Sequence, residues 1–225
     1  MNVGFCTKKR HRKICAETIE AFQKLPVANV SDCMSRMYAG GSALRPIHDP
    51  QGVLAGPALT VRTRPGDNLM LHHALDIAEP GDVIVVDAGG DLTTAIMGEI
   101  MAAIALKRQV AGIIIYGAIR DADEIRRMGL PLYAMGVTHR GPYKDGPGEV
   151  NTPIALEGMV IEPGDLILAD GDGVLSVPFD QTGSILEATQ KKYAAEQVEL
   201  AQIAEGTNDR NWVMDTLKAR GCVIS

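Results

Sequence analysis

The chain has 225 residues, and 46% of them are hydrophobic, which is enough apolar material for a full core. Its formal net charge of −6 has the wrong sign for a general polyanion binder. Aromatic residues make up only 4%, too few for the stacking platforms that hold single-stranded nucleic acid.

Met1 to Ile14 carries charges where a signal peptide needs an apolar run, and no stretch reaches the length of a membrane span. A cytoplasmic protein with no membrane or nucleic-acid partner is expected. Cys6, Cys15, Cys33 and Cys222 lack CxxC spacing and read as reduced thiols, not as a disulfide frame or zinc site. Lys8 to Lys13 is a basic cluster, either an arm for nucleic acid or a solvated face, and the acidic remainder favours the face. Glu17 to Lys24 has a helical pattern. Ser31 or Asp32 offers an N-cap for a helix over Cys33 to Tyr38, ended by Gly40-Gly41. Leu54 to Arg62 reads as a strand that starts at the Gly56-Pro57 turn. Pro65-Gly66-Asp67-Asn68 is a turn or cap signal, and Leu69 to Ala78 is a helix carrying His72-His73. Adjacent histidines on a helix point about 100° apart, so they do not form a chelate.

The stretch Val83 to Glu124 organises the rest. Val83–Val86 and Ile113–Tyr116 are apolar, β-branched runs suited to strands buried on both faces. Between them, roughly Gly98 to Arg108, Ile100, Met101, Ile104 and Ala105 fall on one helical stripe. Strand, crossover helix, strand is a βαβ unit with parallel strands, so the fold class is α/β. Ligands of such sheets sit off the carboxyl ends of the strands. The first strand runs out at Asp87-Ala88-Gly89-Gly90, the second at Gly117 to Glu124.

Leu130 to Met135 is a further strand. His139 to Asn151 is a long Gly- and Pro-rich loop, either a lid or binding loop or a surface loop or subunit contact. Ile154–Leu156, Met159–Ile161 and Leu166–Ala169 read as strands. Asp170-Gly171-Asp172-Gly173 lacks the spaced ligands of a calcium loop and leads into Val174–Val177, so a hairpin turn is the better reading. Gln181 to Ala204 is a long polar helix, and Asp215 to Arg220 a last helical turn or two. A single domain over 1–225 is expected, its core at about 25–180, with the helices of 181–225 packing on a neighbouring subunit.

Three features of the central stretch could act together. Free amides and the positive dipole end at Gly98-Glu99-Ile100-Met101 suit a carboxylate. Arg120 can fork onto a carboxylate or polarise a ketone oxygen. Asp121, with Glu99 and Glu124 near, offers hard oxygen ligands for Mg²⁺ or Mn²⁺. By spacing alone, Arg120, Asp121 and Glu124 read better as an exposed helix start. No lysine is an evident Schiff-base former: Lys107 falls on the helix and Lys144 in the loop. Ala88-Gly89-Gly90-Asp91 is too short to be a nucleotide loop.

At these residues the sequence resembles the class II, metal-dependent 4-hydroxy-4-methyl-2-oxoglutarate aldolases, grouped with the regulator of ribonuclease activity A (RraA-like) proteins. The resemblance rests on Ala55–Val61, Pro80–Asp87, Gly98–Met101, Gly117–Asp121, Gly141 to Asn151, Pro163–Asp165 and Ala169–Val174, and it spans about Val30 to the C-terminus. It implies a β/β/α swivelling-domain fold assembled as a homotrimer or homohexamer with sites between subunits. It implies cleavage of a small 2-oxo acid, 4-hydroxy-4-methyl-2-oxoglutarate or 4-carboxy-4-hydroxy-2-oxoadipate, and decarboxylation of oxaloacetate through the same pyruvate enolate. Carried over, Arg120 polarises the substrate and Asp121 ligates Mg²⁺ or Mn²⁺. Gly98, Ile100 and Met101 give amides to the pyruvyl carboxylate. Glu99 holds metal-bound water, and Glu196, or failing it Glu199, reaches over from the next subunit. Regulatory members that bind a ribonuclease share the fold, so fold alone does not decide. An intact Arg120-Asp121 favours the enzyme; a dedicated oxaloacetate decarboxylase is a further alternative.

Overall fold

A computed structural model describes residues 4–49 and 52–224. The chain divides into two compact units, residues 1–189 and 190–225. The first holds all eleven strands found among the described residues: β1 (Cys6–Thr7), β2 (Arg45–Pro46), β3 (Leu54–Thr63), β4 (Val83–Asp87), β5 (Gly112–Ile119), β6 (Leu132–Val137), β7 (Gly148–Val150), β8 (Ile154–Leu156), β9 (Met159–Ile161), β10 (Leu166–Asp170) and β11 (Gly173–Val177). Helices α1 (Ala16–Phe22), α2 (Val27–Cys33), α3 (Leu69–Ile77), α4 (Glu99–Lys107) and α5 (Ala122–Met128) belong to it as well. Helix α6 (Thr182–Glu205) begins there and continues into the second unit, which also contains α7 (Asn211–Ala219).

The expected βαβ unit is present: β4 and β5 pair in parallel, with Ile84 opposite Ile113 and Val86 opposite Ile115. They are the middle of a sheet ordered β1-β7-β3-β4-β5-β6-β2, in which β3, β4, β5 and β6 are parallel. Strand β3 is long enough to serve two partners on one side. Its first half pairs with β10 and its last residues with β7, both antiparallel.

The continuous apolar runs follow from burial on both faces, since successive strand side chains alternate. Ile84, Val86, Ile113 and Ile115 pack with Leu71, Leu75, Met101, Ala102 and Ala105 on the helical face. Val83, Val85 and Ile114 pack on the other face with Tyr133, Ile154, Leu156, Met159 and Ile161, partly from the β8–β9 hairpin. Burial pushes the Tyr133 phenol well above its ordinary pKa.

Several local expectations are revised. The helix near Ser31 starts earlier, at Val27, because Asp170 from the end of β10 accepts the Val27 N–H at 3.0 Å and takes over the capping role. Ser35 and Arg36, both at positive φ, end it before Tyr38. Gly56-Pro57 lies inside β3, opposite Ile167 and Leu166 of β10, and is not a turn; a Cβ on Gly56 would meet the Gly81 carbonyl at 2.4 Å. The loop expected over His139 to Asn151 ends early, because Gly148–Val150 is β7. Ile100 leaves the buried stripe of α4 and is 73% exposed. The basic cluster is not simply a solvated face: the half-buried Arg10 pairs with the buried Asp82 at 2.7 Å. Asp170 to Gly173 is the β10–β11 hairpin turn, as the pattern predicts.

Candidate active site

The site forms where β4 and β5 end. After β4 the chain returns along the end of β5: Ala95 bridges Ala118, and the Ile96 N–H donates to the Ala118 carbonyl at 3.0 Å. The Arg120 N–H then donates to the Met97 carbonyl at 2.9 Å. These bonds set Gly98, the N-cap of α4, beside the start of α5. Asp121 Oδ2 accepts the Glu99 N–H at 3.0 Å and lies 3.6 Å from Arg120 Nε.

Gly98 is needed for this approach. Its backbone is extended, so conformation does not demand glycine, but a Cβ there would meet Asp121 Oδ2 at 2.4 Å and the Arg120 side chain at 3.1 Å. Asp121 caps α5 with φ 57° and ψ 40°, a left-handed conformation that costs a non-glycine residue about 1 kcal/mol or more. Such strain persists where surrounding contacts over-determine it, and it clusters at functional sites.

Asn68, His72, Met97, Gly98, Ile100, Met101, Arg120, Asp121, Pro142 and Lys144 line one cavity of about 100 Å³. Of the predicted residues, Gly98, Ile100, Met101, Arg120 and Asp121 therefore come together. The Gly98 and Ile100 N–H groups have no acceptor among the described residues, whereas the Met101 N–H donates to the Gly98 carbonyl at 3.1 Å. Glu99 and Glu124 do not line the cavity. Glu99 gives its backbone N–H to Asp121 Oδ2 and borders a neighbouring hollow, and Glu124 is drawn to Arg127, three residues along α5. Glu196 lies in the second unit and pairs with Lys192 at 2.7 Å; Glu199 is exposed.

Four further residues line it, Asn68, His72, Pro142 and Lys144, which sequence places only in a turn, on a helix and in the loop. The Asn68 side-chain N–H₂ donates to the Ile96 carbonyl at 3.0 Å, and its Oδ1 is buried without a partner. Burial, then the charge of Lys144, push His72 below its ordinary pKa, and Asp76 opposes them.

A divalent cation is implied by the resemblance. Among the described residues no group of three or more His, Cys, Asp or Glu could hold one by itself. The chemistry still fits Mg²⁺ or Mn²⁺ in part. Asp121 Oδ1 accepts no hydrogen bond among the described residues, and Mg²⁺ usually takes one or two carboxylates, with water and substrate oxygens completing its shell.

The Aldolase/RraA family model matches residues 27–176. The chain belongs to this family. It is 36% identical over 187 residues to a candidate 4-hydroxy-4-methyl-2-oxoglutarate aldolase of Halalkalibacterium halodurans, covering 83% of this chain and 89% of that protein. It is equally 36% identical over 152 residues to a 4-hydroxy-4-methyl-2-oxoglutarate aldolase of Thermus thermophilus, covering 67% of this chain and 93% of that one. The crystal structure of Streptomyces coelicolor RraAS2, described as an unusual member of the RNase ES inhibitor RraA family, superposes with a TM-score of 0.75 at 26% identity. That match covers 83% of this chain and 97% of the other. The α/β fold with its C-terminal helix is thus the Aldolase/RraA fold, and the cavity lies within the matched region.

Proposed function

We propose that this Aldolase/RraA member is a divalent-metal-dependent pyruvate aldolase. It cleaves 4-hydroxy-4-methyl-2-oxoglutarate and 4-carboxy-4-hydroxy-2-oxoadipate, and decarboxylates oxaloacetate. The observation that carries this reading is the adjacency of Arg120, Asp121 and the amide-bearing start of α4 in one cavity. The names of the two aldolase relatives support it.

The open N–H groups of Gly98 and Ile100, at the positive end of a nine-residue helix, receive the pyruvyl carboxylate. Arg120 faces the C2 ketone oxygen. A water at the site takes the C4 hydroxyl proton, the C3–C4 bond breaks with its electron pair passing into the C2 carbonyl, and the C4 side leaves as a ketone; the pyruvate enolate left behind takes a proton back at C3 to give pyruvate. Arg120 stabilises the charge that develops on the C2 oxygen. Asp121 would hold Mg²⁺ or Mn²⁺, which when bound supplies Lewis-acid polarisation of the 2-oxo acid. Roles for Glu99, Glu124, and Glu196 or Glu199 would run through water, the last pair from a neighbouring subunit of a trimer or hexamer. The family's β/β/α swivelling domain, read as one unit over 1–225, would place its C-terminal helices there. Loss of CO₂ from oxaloacetate leaves the same enolate, so the same groups serve it.

The deciding experiment is pyruvate release from 4-hydroxy-4-methyl-2-oxoglutarate and from oxaloacetate with Mg²⁺, with Mn²⁺ and with EDTA. Metal-dependent release from the hydroxy acid, lost in Asp121→Ala, is the expected result. Release from oxaloacetate alone would move the assignment to a decarboxylase. Release from neither substrate by the folded, metal-supplied protein would bring forward a ribonuclease-binding regulator.

A further inference from the structure

Arg120, Asp121 and the start of α4 account for one carboxylate and one ketone, but the cavity has a second cation. Lys144 lines it, from the loop whose sequence fits a binding loop and a surface loop equally. Two cations against one carboxylate give the cavity the opposite sign to the chain as a whole. Arg120 has Asp121 beside it, whereas Lys144 has no ion-pair partner among the described residues.

The backbone around Lys144 is fixed. On one side the Tyr143 N–H donates to the Gly66 carbonyl at 2.8 Å, and the Tyr143 carbonyl accepts the Asn68 N–H at 3.0 Å. On the other, the Asp145 and Gly146 N–H groups donate to Asp67 Oδ2 at 2.7 and 2.9 Å. Asp67 is fully buried and also accepts the Leu69 N–H at 3.0 Å. Lys144 is therefore tied to the turn that begins α3, the helix that carries His72. His72 lines the same cavity and is held toward its neutral form, so it can donate or accept a hydrogen bond without adding charge.

We propose that Lys144, with His72 beside it, binds the second carboxylate of 4-hydroxy-2-oxo dicarboxylic acids and makes the cavity prefer dianionic over monoanionic aldol substrates. An exposed cation carried on a fixed backbone, with no ion-pair partner among the described residues, is matched by an anionic ligand group. Lys144 acts here as a specificity-determining residue remote from the bond that breaks. The inference rests on the aldolase reading for its substrate class.

The test compares kcat/KM for 4-hydroxy-4-methyl-2-oxoglutarate with that for 4-hydroxy-4-methyl-2-oxopentanoate, in which a methyl replaces the distal carboxylate and cleavage gives pyruvate and acetone. The wild-type chain should favour the diacid at least tenfold. Lys144→Met should lower that ratio at least tenfold, chiefly through KM of the diacid. Lys144→Arg should restore much of it, and Lys24→Met, which removes the same charge from an exposed site outside the cavity, should leave it unmoved. Calorimetric Kd values for 2-oxoglutarate and 2-oxobutyrate supply a readout without turnover and should show the same Lys144 dependence. No diacid preference in the wild type, or equal effects of Lys144→Met on both substrates and both ligands, would overturn the assignment while leaving the aldolase in place. Cleavage of neither substrate, with Lys144-dependent binding of 2-oxoglutarate, would instead remove the aldolase reading and keep the subsite.

Discussion

Gly98 is the residue on which the site's geometry turns most sharply. Its extended backbone would accept alanine, so Gly98→Ala should fold, with a melting temperature within a few degrees of wild type. The added Cβ, however, has Asp121 Oδ2 at 2.4 Å and must push the Arg120–Asp121 pair aside. Small misplacements of a catalytic group are expensive, so pyruvate release should fall about 100-fold. Asp121→Asn separates strain from charge. Asparagine tolerates the left-handed conformation and still accepts the Glu99 N–H, so thermal stability should hold while calorimetric Mn²⁺ binding and aldolase turnover are lost. Undiminished turnover in that variant, with metal saturating, would remove Asp121 from the chemistry. His72 adds a pH signature. Its folded pKa is lowered, so below pH 6.5 the unfolded chain binds more protons at this position. The associated stability is fully present above pH 6.5 and is lost as pH falls toward and through the lowered value. Urea midpoints should show the stability of the wild type relative to His72→Gln declining from about pH 7.5 to about pH 5. A constant difference would contradict the shift.

At the scale of elements, the α3 turn and the loop before β7 form one structural piece because of Asp67. Its buried carboxylate accepts three backbone N–H groups, from Leu69, Asp145 and Gly146, and pairs with Arg64 at 3.2 Å. Asp67→Ala would leave those amides without acceptors at a cost of about 3 kcal/mol or more, since hydrogen bonds to a charged group are worth about 1.5–3 kcal/mol each. The urea midpoint should fall accordingly, and 2-oxoglutarate affinity should fall with it because Lys144 loses its anchor. This link also marks the limit of what the sequence discloses. Val83–Val86 and Ile113–Tyr116 announced the parallel pair because burial on both faces leaves an unbroken β-branched run. Arg120 and Asp121 were visible because they follow such a run directly. Lys144, Asn68 and His72 were not assembled in advance, since hydrogen bonds spanning more than seventy residues bring their segments together. Strand β7 was hidden for a similar reason: Gly148 suits it because a Cβ would meet the Arg62 carbonyl at 2.4 Å, a contact that exists only after pairing with β3. The start of α2 was misplaced because its cap, Asp170, lies far along the chain.

For the molecule as a whole, the assembly that the resemblance implies needs an exposed apolar surface, and the outer face of α4 offers one. Ile100, exposed on a helix whose other face is core, borders a hollow with Ala103, Ile104 and Met128, rimmed by Glu99 and Lys107, next to the cavity that Ile100 also lines. An isoleucine left in water forgoes about 1.5–3 kcal/mol that burial would supply. In a closed cyclic assembly each copy contributes the same patch, so the gain repeats at every interface. With the trimer or hexamer that the resemblance implies, light scattering should give three or six times the chain mass of 24.0 kDa. Ala103→Glu puts a charge into the middle of the patch without touching a cavity-lining residue, and burying that charge unpaired costs several kcal/mol. The variant should sediment as smaller species. Its turnover should fall in step with the loss of the assembled form if a neighbouring Glu196 or Glu199 completes the site, and should stay at the wild-type level if each chain is sufficient. A wild-type mass of one chain at micromolar concentration would show that this hollow joins no copies and would leave the site to a single chain.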